Sequence, residues 1–195
     1  MFLSVYNFVI ELLYNFVSIA LDLIYIGIFF YVYHNYIMSK EIKYLQQKIK
    51  SQEKYIDDNP LIIVNCDQMI HDFDVNKLQQ FANVNNADGV LGAFISSSKK
   101  NSYMKLDPQG EVTELKEKIV ISNIATNGLH FWKNGKDFVS SAKEMIEAGE
   151  KYNNEFYIAP TYNYLIKDGK KILPYFYNLH FPIGTPEDLE KYRKL

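Results

Sequence analysis

Arginine is nearly missing from this chain: among its 195 residues only Arg193 is one. Every other fixed positive charge is a lysine, a point charge rather than the planar fork that grips phosphate with two parallel bonds. Cysteine is equally scarce. Cys66 stands alone, which excludes an internal disulfide and suits a reducing, cytoplasmic setting. With a net charge of −2 the chain lacks the basic surplus that a nucleic-acid partner requires. Gly27 is the only glycine before Gly89. No backbone phosphate cradle of the P-loop or G-x-G kind can be written over that stretch. His34, His71, His130 and His180 show no metal-ligand spacing, and one cysteine does not complete a zinc site with them.

Hydrophobic residues make up 48% of the chain, enough for a real core. The composition changes part-way. Residues 1–38 hold no lysine or arginine and two acids, Glu11 and Asp22; Lys40, Lys43, Lys48 and Lys50 then arrive together. We place a boundary between Ser51 and Pro60, giving a hydrophobic helical segment with a lysine-rich linker helix over 1–53 and a globular domain over 54–195. Leu12–Tyr33 is long enough to cross a ~30 Å hydrocarbon core as a helix. Asp22 at its centre costs roughly 2.5–3.5 kcal/mol on insertion scales, so the span is marginal. Three readings stand: a membrane anchor through 12–33 with the lysines on the cytoplasmic side, a helical hairpin that covers the domain or forms a homo-oligomer, or a foreign replacement of an original N-terminus.

Beyond Pro60, secondary structure is signalled locally. Leu61–Asn65 is a short apolar β-branched run, predicted to be a buried parallel strand. Asp74 is placed to cap a helix carrying Val75, Leu78, Phe81 and Ala82. Gly89–Ile95 and Ile124–Trp132 read as strands. Tyr103–Leu106 and Val112–Leu115 flank Asp107-Pro108-Gln109-Gly110, a hairpin turn. Asp137–Ala148 is a helix stopped by Gly149, Ala159–Lys167 a second, and Lys171–Tyr177 a strand. Thr185-Pro186-Glu187-Asp188 opens a last helix with a capping hydroxyl, proline at the first position and acids in the first turn. Strands alternating with helices predict a three-layer, mainly parallel α/β fold.

Asp67 is the strongest candidate for chemistry. A carboxylate just past the carboxyl end of a strand faces the crevice where α/β sheets bind ligands, and an oxygen ligand there suits Mg²⁺. On position alone it is either a metal ligand or a turn cap. Ser96-Ser97-Ser98-Lys99-Lys100 reads as a polar loop, and Cys66 as packing.

Four stretches carry a resemblance. Asn65-Cys66-Asp67-Gln68 follows LIIV; Glu117-Lys118 precedes Ser122-Asn123-Ile124-Ala125-Thr126-Asn127-Gly128-Leu129; Asn153-Asn154-Glu155-Phe156-Tyr157 comes before a helix; Gly184-Thr185-Pro186-Glu187-Asp188-Leu189 closes the chain. In that order they resemble the back part of the sugar-phosphate nucleotidyltransferase family, which makes nucleoside-diphosphate sugars and pyrophosphate from a sugar 1-phosphate and a nucleoside triphosphate. The resemblance covers about 54–195 and implies an incomplete Rossmann-like nucleotidyltransferase sheet behind an N-terminal hydrophobic helix. It further implies that Asp67 holds Mg²⁺, Lys118 steadies phosphate, Glu117 and Glu155 bind sugar hydroxyls, Gly128 lets the sugar approach the backbone, and Asn123 supports that site. Read without the family, Glu117-Lys118 is a solvated charge pair, Asn153 and Asn154 are turn residues, and Gly128 is a strand bulge.

The departures point the other way. The family opens with a glycine-rich loop, an arginine and a Pro-Lys pair for the triphosphate, and none is present here. Many members carry a second metal-binding Asp where this chain has Pro182. Two functions follow: a nucleotidyltransferase, or a catalytically incomplete homologue that keeps the sugar-phosphate half-site and acts as a binding or membrane-attached assembly module.

Overall fold

The computed structural model describes residues 28, 31, 32, 39–51 and 56–194. It divides into two compact units, Met1–Leu45 and Gln46–Leu195. In the first, residues 28, 31 and 32 are helical and exposed; the rest of the apolar run predicted to span a membrane lies outside the described residues. Among the described residues no helix is long and apolar enough to cross a membrane.

The second unit is a mixed α/β domain. In chain order it contains β1 (Leu61–Val64), β2 (Gln68–Ile70), α1 (Val75–Val84), β3 (Gly89–Ile95), β4 (Tyr103–Leu106), β5 (Val112–Lys116), β6 (Ile124–Trp132), α2 (Gly135–Glu147), α3 (Thr161–Lys167), β7 (Ile172–Phe176), β8 (His180–Pro182) and α4 (Pro186–Tyr192). The local signals act as their chemistry dictates. Asp74 accepts from the N–H groups of Asn76 and Lys77 at the start of α1, and Thr185 Oγ1 accepts from Asp188 N at the start of α4. Asp107 Oδ1 accepts from Gln109 N and Glu111 N, closing the β4–β5 hairpin around Gly110.

The main sheet has the order β5-β4-β6-β3-β7, with β1 also paired to β6. Four of its ladders are antiparallel and only β3–β7 is parallel. The expectation of a mainly parallel sheet is therefore corrected. β1, β3, β4 and β7 do run one way, as strand–helix alternation implies, but β6 runs against them and inserts between β1 and β3. Among the described residues β1 has a strand partner on one edge only, β6. β2 and β8 form a separate two-stranded ribbon.

Alternate residues of the sheet feed two cores, which makes three layers. Leu91, Trp132 and Ile172 join Tyr162 and Leu165 of α3 on one face. Val90, Leu129, Phe131 and Leu173 join Leu78 and Ala82 of α1 on the other. β6 breaks this alternation once. Ala93 pairs with Thr126 and Leu91 with His130, so the single residue Gly92 faces Asn127, Gly128 and Leu129. The sequence signal is Asn-Gly in mid-strand; the result is a bulge that re-aims side chains toward the end of β1.

Candidate active site

A cleft of about 510 Å³ opens where β1 ends, beside the β6 bulge. Asp67, Glu117, Lys118, Asn127, Gly128 and His130 contribute to its walls. Its size is in the range of small-molecule sites.

Asp67 lies in the turn between β1 and β2, exposed to solvent. Its carbonyl accepts from Ile183 N at 2.8 Å, tying the turn to the segment after β8. A Cβ on Gly184 would come within 2.9 Å of Asp67 Oδ2, so glycine there leaves the carboxylate its room. Gln68, the next residue, pairs with Pro182 across the ribbon. Gln68 Oε1 meets His180 Nε2 at 2.8 Å, and burial holds the His180 ring below its ordinary pKa despite the nearby Asp67 charge.

Glu117 and Lys118 follow β5 and sit against the residues that lead into β4. Ser102 Oγ donates to the Glu117 carboxylate, while Lys118 N donates to Asn101 O at 3.1 Å. Glu117 is buried, and desolvation raises its pKa; the Ser102 bond and the Lys118 charge oppose that rise. Lys118 adopts φ 53°, a left-handed backbone rare outside glycine and asparagine. Its Nζ lies 2.6 Å from Tyr157 Oη and 4.5 Å from the centre of that ring. The Tyr157 hydroxyl bond, chiefly, with Glu117 and Glu155 charges behind it, raises the lysine's pKa.

Gly128 has φ 75°, and a side chain there would run into Asn65. It is both a bulge residue and a cleft residue. Its carbonyl accepts from Asn65 N at 3.1 Å, fastening the end of β1 to the bulge. Glu155 is one bond removed from the cleft: Tyr157 Oη donates to Glu155 Oε2 at 2.6 Å. Tyr152 and Glu155 exchange two backbone bonds of 3.0 Å around Asn153 and Asn154, both with positive φ. That is a two-residue turn of the kind asparagine favours, and it delivers Phe156 and Tyr157 to the cleft. Asn123 lies elsewhere. It is exposed at the start of β6, its carbonyl accepting from Ser96 N, and it does not line the cleft.

Sequence reasoning passed over Tyr157, Asn127 and His130. Tyr157 closes the Asn153–Tyr157 motif but is given no role there, and Asn127 becomes a cleft residue only through the bulge. His130 is buried beside the stacked pair of Trp132 and Tyr162, 5.9 Å from the centre of each ring. Burial drives its pKa down to about 4, so it is neutral at physiological pH.

Among the described residues no three His, Cys, Asp or Glu side chains gather as a metal cage. Asp67 offers a single carboxylate, which fits an ion held mostly by substrate phosphates and water.

Comparisons with known proteins bear on the family and the fold. A family profile described as Nucleotidyl transferase matches residues 16–193. The chain belongs to that family. The nucleotidyl transferase fold is also seen in two solved structures. One is a nucleoside-diphosphate-sugar pyrophosphorylase from Vibrio cholerae RC9, with a TM-score of 0.64 and 23% identity, over 73% of this chain and 59% of that one. The other is a candidate glucose-1-phosphate thymidylyltransferase from Bacillus anthracis, solved with sucrose, with a TM-score of 0.58 and 14% identity, over 76% of this chain and 58% of that one. This nucleotidyl transferase chain thus spans under two thirds of the length of either neighbour. A search of curated proteins finds no match.

Proposed function

We propose that the cleft is the sugar 1-phosphate half-site of a sugar-phosphate nucleotidyltransferase. The observation that carries this reading is the convergence of Asp67 with the distant Glu117, Lys118 and Gly128 on one cavity. Lys118 would meet the phosphate, and its pKa, raised above an ordinary lysine's, keeps it cationic. Glu117 would accept from ring hydroxyls, and Gly128 would let the ring lie against the backbone. Asp67 would hold Mg²⁺ jointly with the substrate phosphates; when bound, the ion supplies charge neutralisation at phosphorus.

Attack of the sugar phosphate on a nucleoside triphosphate also needs oriented donors on the triphosphate. Losing one such donor typically costs about 10²–10³ in rate. The glycine-rich loop and arginine that supply them in the family have no counterpart within residues 1–195. These observations favour the second reading, a homologue that binds sugar phosphate and turns over poorly. Calorimetry with sugar 1-phosphates and nucleoside triphosphates, together with pyrophosphate release, tests both. We expect sugar 1-phosphate to bind more tightly than triphosphate, with little release. Robust turnover abolished by Asp67→Ala would establish the complete enzyme instead, and absence of any sugar 1-phosphate binding would remove the half-site.

A further inference from the structure

Among the described residues two lysines line the cleft, Lys118 and Lys100. Lys118 is held by the Tyr157 hydroxyl. Lys100 is exposed and makes no ion pair among the described residues. It belongs to the serine-lysine run between β3 and β4, which reads in the sequence as a plain polar loop.

The structure shows that loop to be fixed by its own side chains. Ser96 Oγ accepts from Ser98 N at 3.1 Å and from Asn101 Nδ2 at 2.9 Å. Ser98 Oγ accepts from Lys100 N at 3.4 Å. Tyr103, fully buried, donates its hydroxyl to Ser98 O at 2.8 Å. At one end Ser96 N donates to Asn123 O at 3.0 Å; at the other, Asn101 O accepts from Lys118 N at 3.1 Å. The serines thus spend their hydroxyls on the loop's own amides. The backbone that carries Lys100 is tied to the backbone that carries Lys118, while the Lys100 ammonium is left to solvent. Lys99, the next residue, does not line the cleft.

We propose that Lys100 is a second phosphate-binding residue of the cleft, acting with Lys118 where no arginine fork is present. This rests on the half-site reading above and adds a residue to it.

The charge balance carries the argument. A phosphate monoester holds about −1.5 to −2 charges at pH 7. Two carboxylates, Asp67 and Glu117, line the same cleft and repel it. A single ammonium leaves that charge largely uncompensated. A guanidinium does not make up the difference, since Arg193 pairs with Glu190 at 2.9 Å and does not line the cleft. Lysine binds phosphate as a point charge, so two lysines on neighbouring backbone segments supply what one cannot. The ordered loop reduces the entropy lost when Lys100 closes on the anion to that of its side chain.

The test is calorimetry on the full chain with glucose, galactose and mannose 1-phosphates, carried forward with the one that binds most tightly. Lys100→Met should weaken that ligand at least fivefold, and Lys100→Arg should restore it to within twofold of the wild type. Lys99→Met removes the same charge from the same loop outside the cleft, and should change affinity by less than twofold. All three positions of substitution are exposed, so the fold is unaffected. In the wild type, labelling with an amine-reactive reagent, read by mass spectrometry, should slow at Lys100 when the sugar phosphate is bound. It should not slow at Lys99, nor at Lys100 with the unphosphorylated sugar. A loss in Lys100→Met no larger than in Lys99→Met, or unslowed labelling of Lys100 at saturation, would overturn the proposal while the binding itself upholds the half-site. Failure of every sugar 1-phosphate to bind the wild-type chain would overturn the half-site and the proposal together.

Discussion

Lys118 Nζ donates to the Tyr157 hydroxyl at 2.6 Å, and that hydroxyl donates in turn to Glu155 Oε2 at the same distance. The ammonium also lies 5.6 Å from the centre of the Tyr152 ring. A long, flexible side chain is thus held toward the cleft by three residues of one short turn, at little entropic loss on ligand binding.

Tyr157→Phe removes the hydroxyl and keeps the ring. We expect stability to change by less than about 1 kcal/mol, because Lys118 is only partly buried and such pairs contribute little. Sugar 1-phosphate affinity should fall several-fold, since the lysine then samples other rotamers. Paired urea denaturation and calorimetry separate the two effects.

Lys118→Gly and Lys118→Met should diverge in stability and agree in function. Both lose the phosphate contact, and we expect at least a tenfold loss of affinity in each. Glycine also relieves the left-handed backbone at this position, a gain of about 1 kcal/mol, whereas methionine retains it. The measurement is the difference between the two variants' melting temperatures, with glycine the higher.

Gly128→Ala should be destabilising. Alanine at φ 75° costs roughly 1–2 kcal/mol, and its methyl would displace Asn65, whose N–H fastens β1 to the bulge. A fall of roughly 4–8 °C in melting temperature corresponds to about 2 kcal/mol for a chain of this size. Asn65→Gly in the same background should recover part of the loss by removing the clash.

Acid should weaken the fold partly through His130. Its pKa falls from 6.5 to about 4 on folding, so the unfolded chain takes up the proton first as pH drops. The neutral ring's contribution is complete above pH 6.5 and is lost between 6.5 and 4, by up to roughly 3 kcal/mol. His130→Phe has no such proton to bind. Its stability, measured by urea unfolding at several pH values, should decline less steeply across that window than the wild type's.

The sequence by itself determined the elements whose signals are local. Asp74, Thr185 and the Asp107–Gly110 turn start or reverse the chain through bonds to residues two to four positions away, and such bonds are written in a short window of residues. Asp67, Glu117, Lys118 and Gly128 were legible as well, because their motifs recur in a known order. The tertiary structure alone decided pairing and reach. LIIV gives no hint that its partner is β6 running the other way, since strand direction depends on which distant segment arrives beside it. Nor does Asn127 announce a cleft residue, for without the bulge opposite Gly92 the strand's two-residue period would set its direction. Tyr157 and His130 matter because of what lies across from them, a lysine after β5 and two stacked rings. Long-range juxtaposition follows from how the layers pack, and no local pattern of residues encodes it.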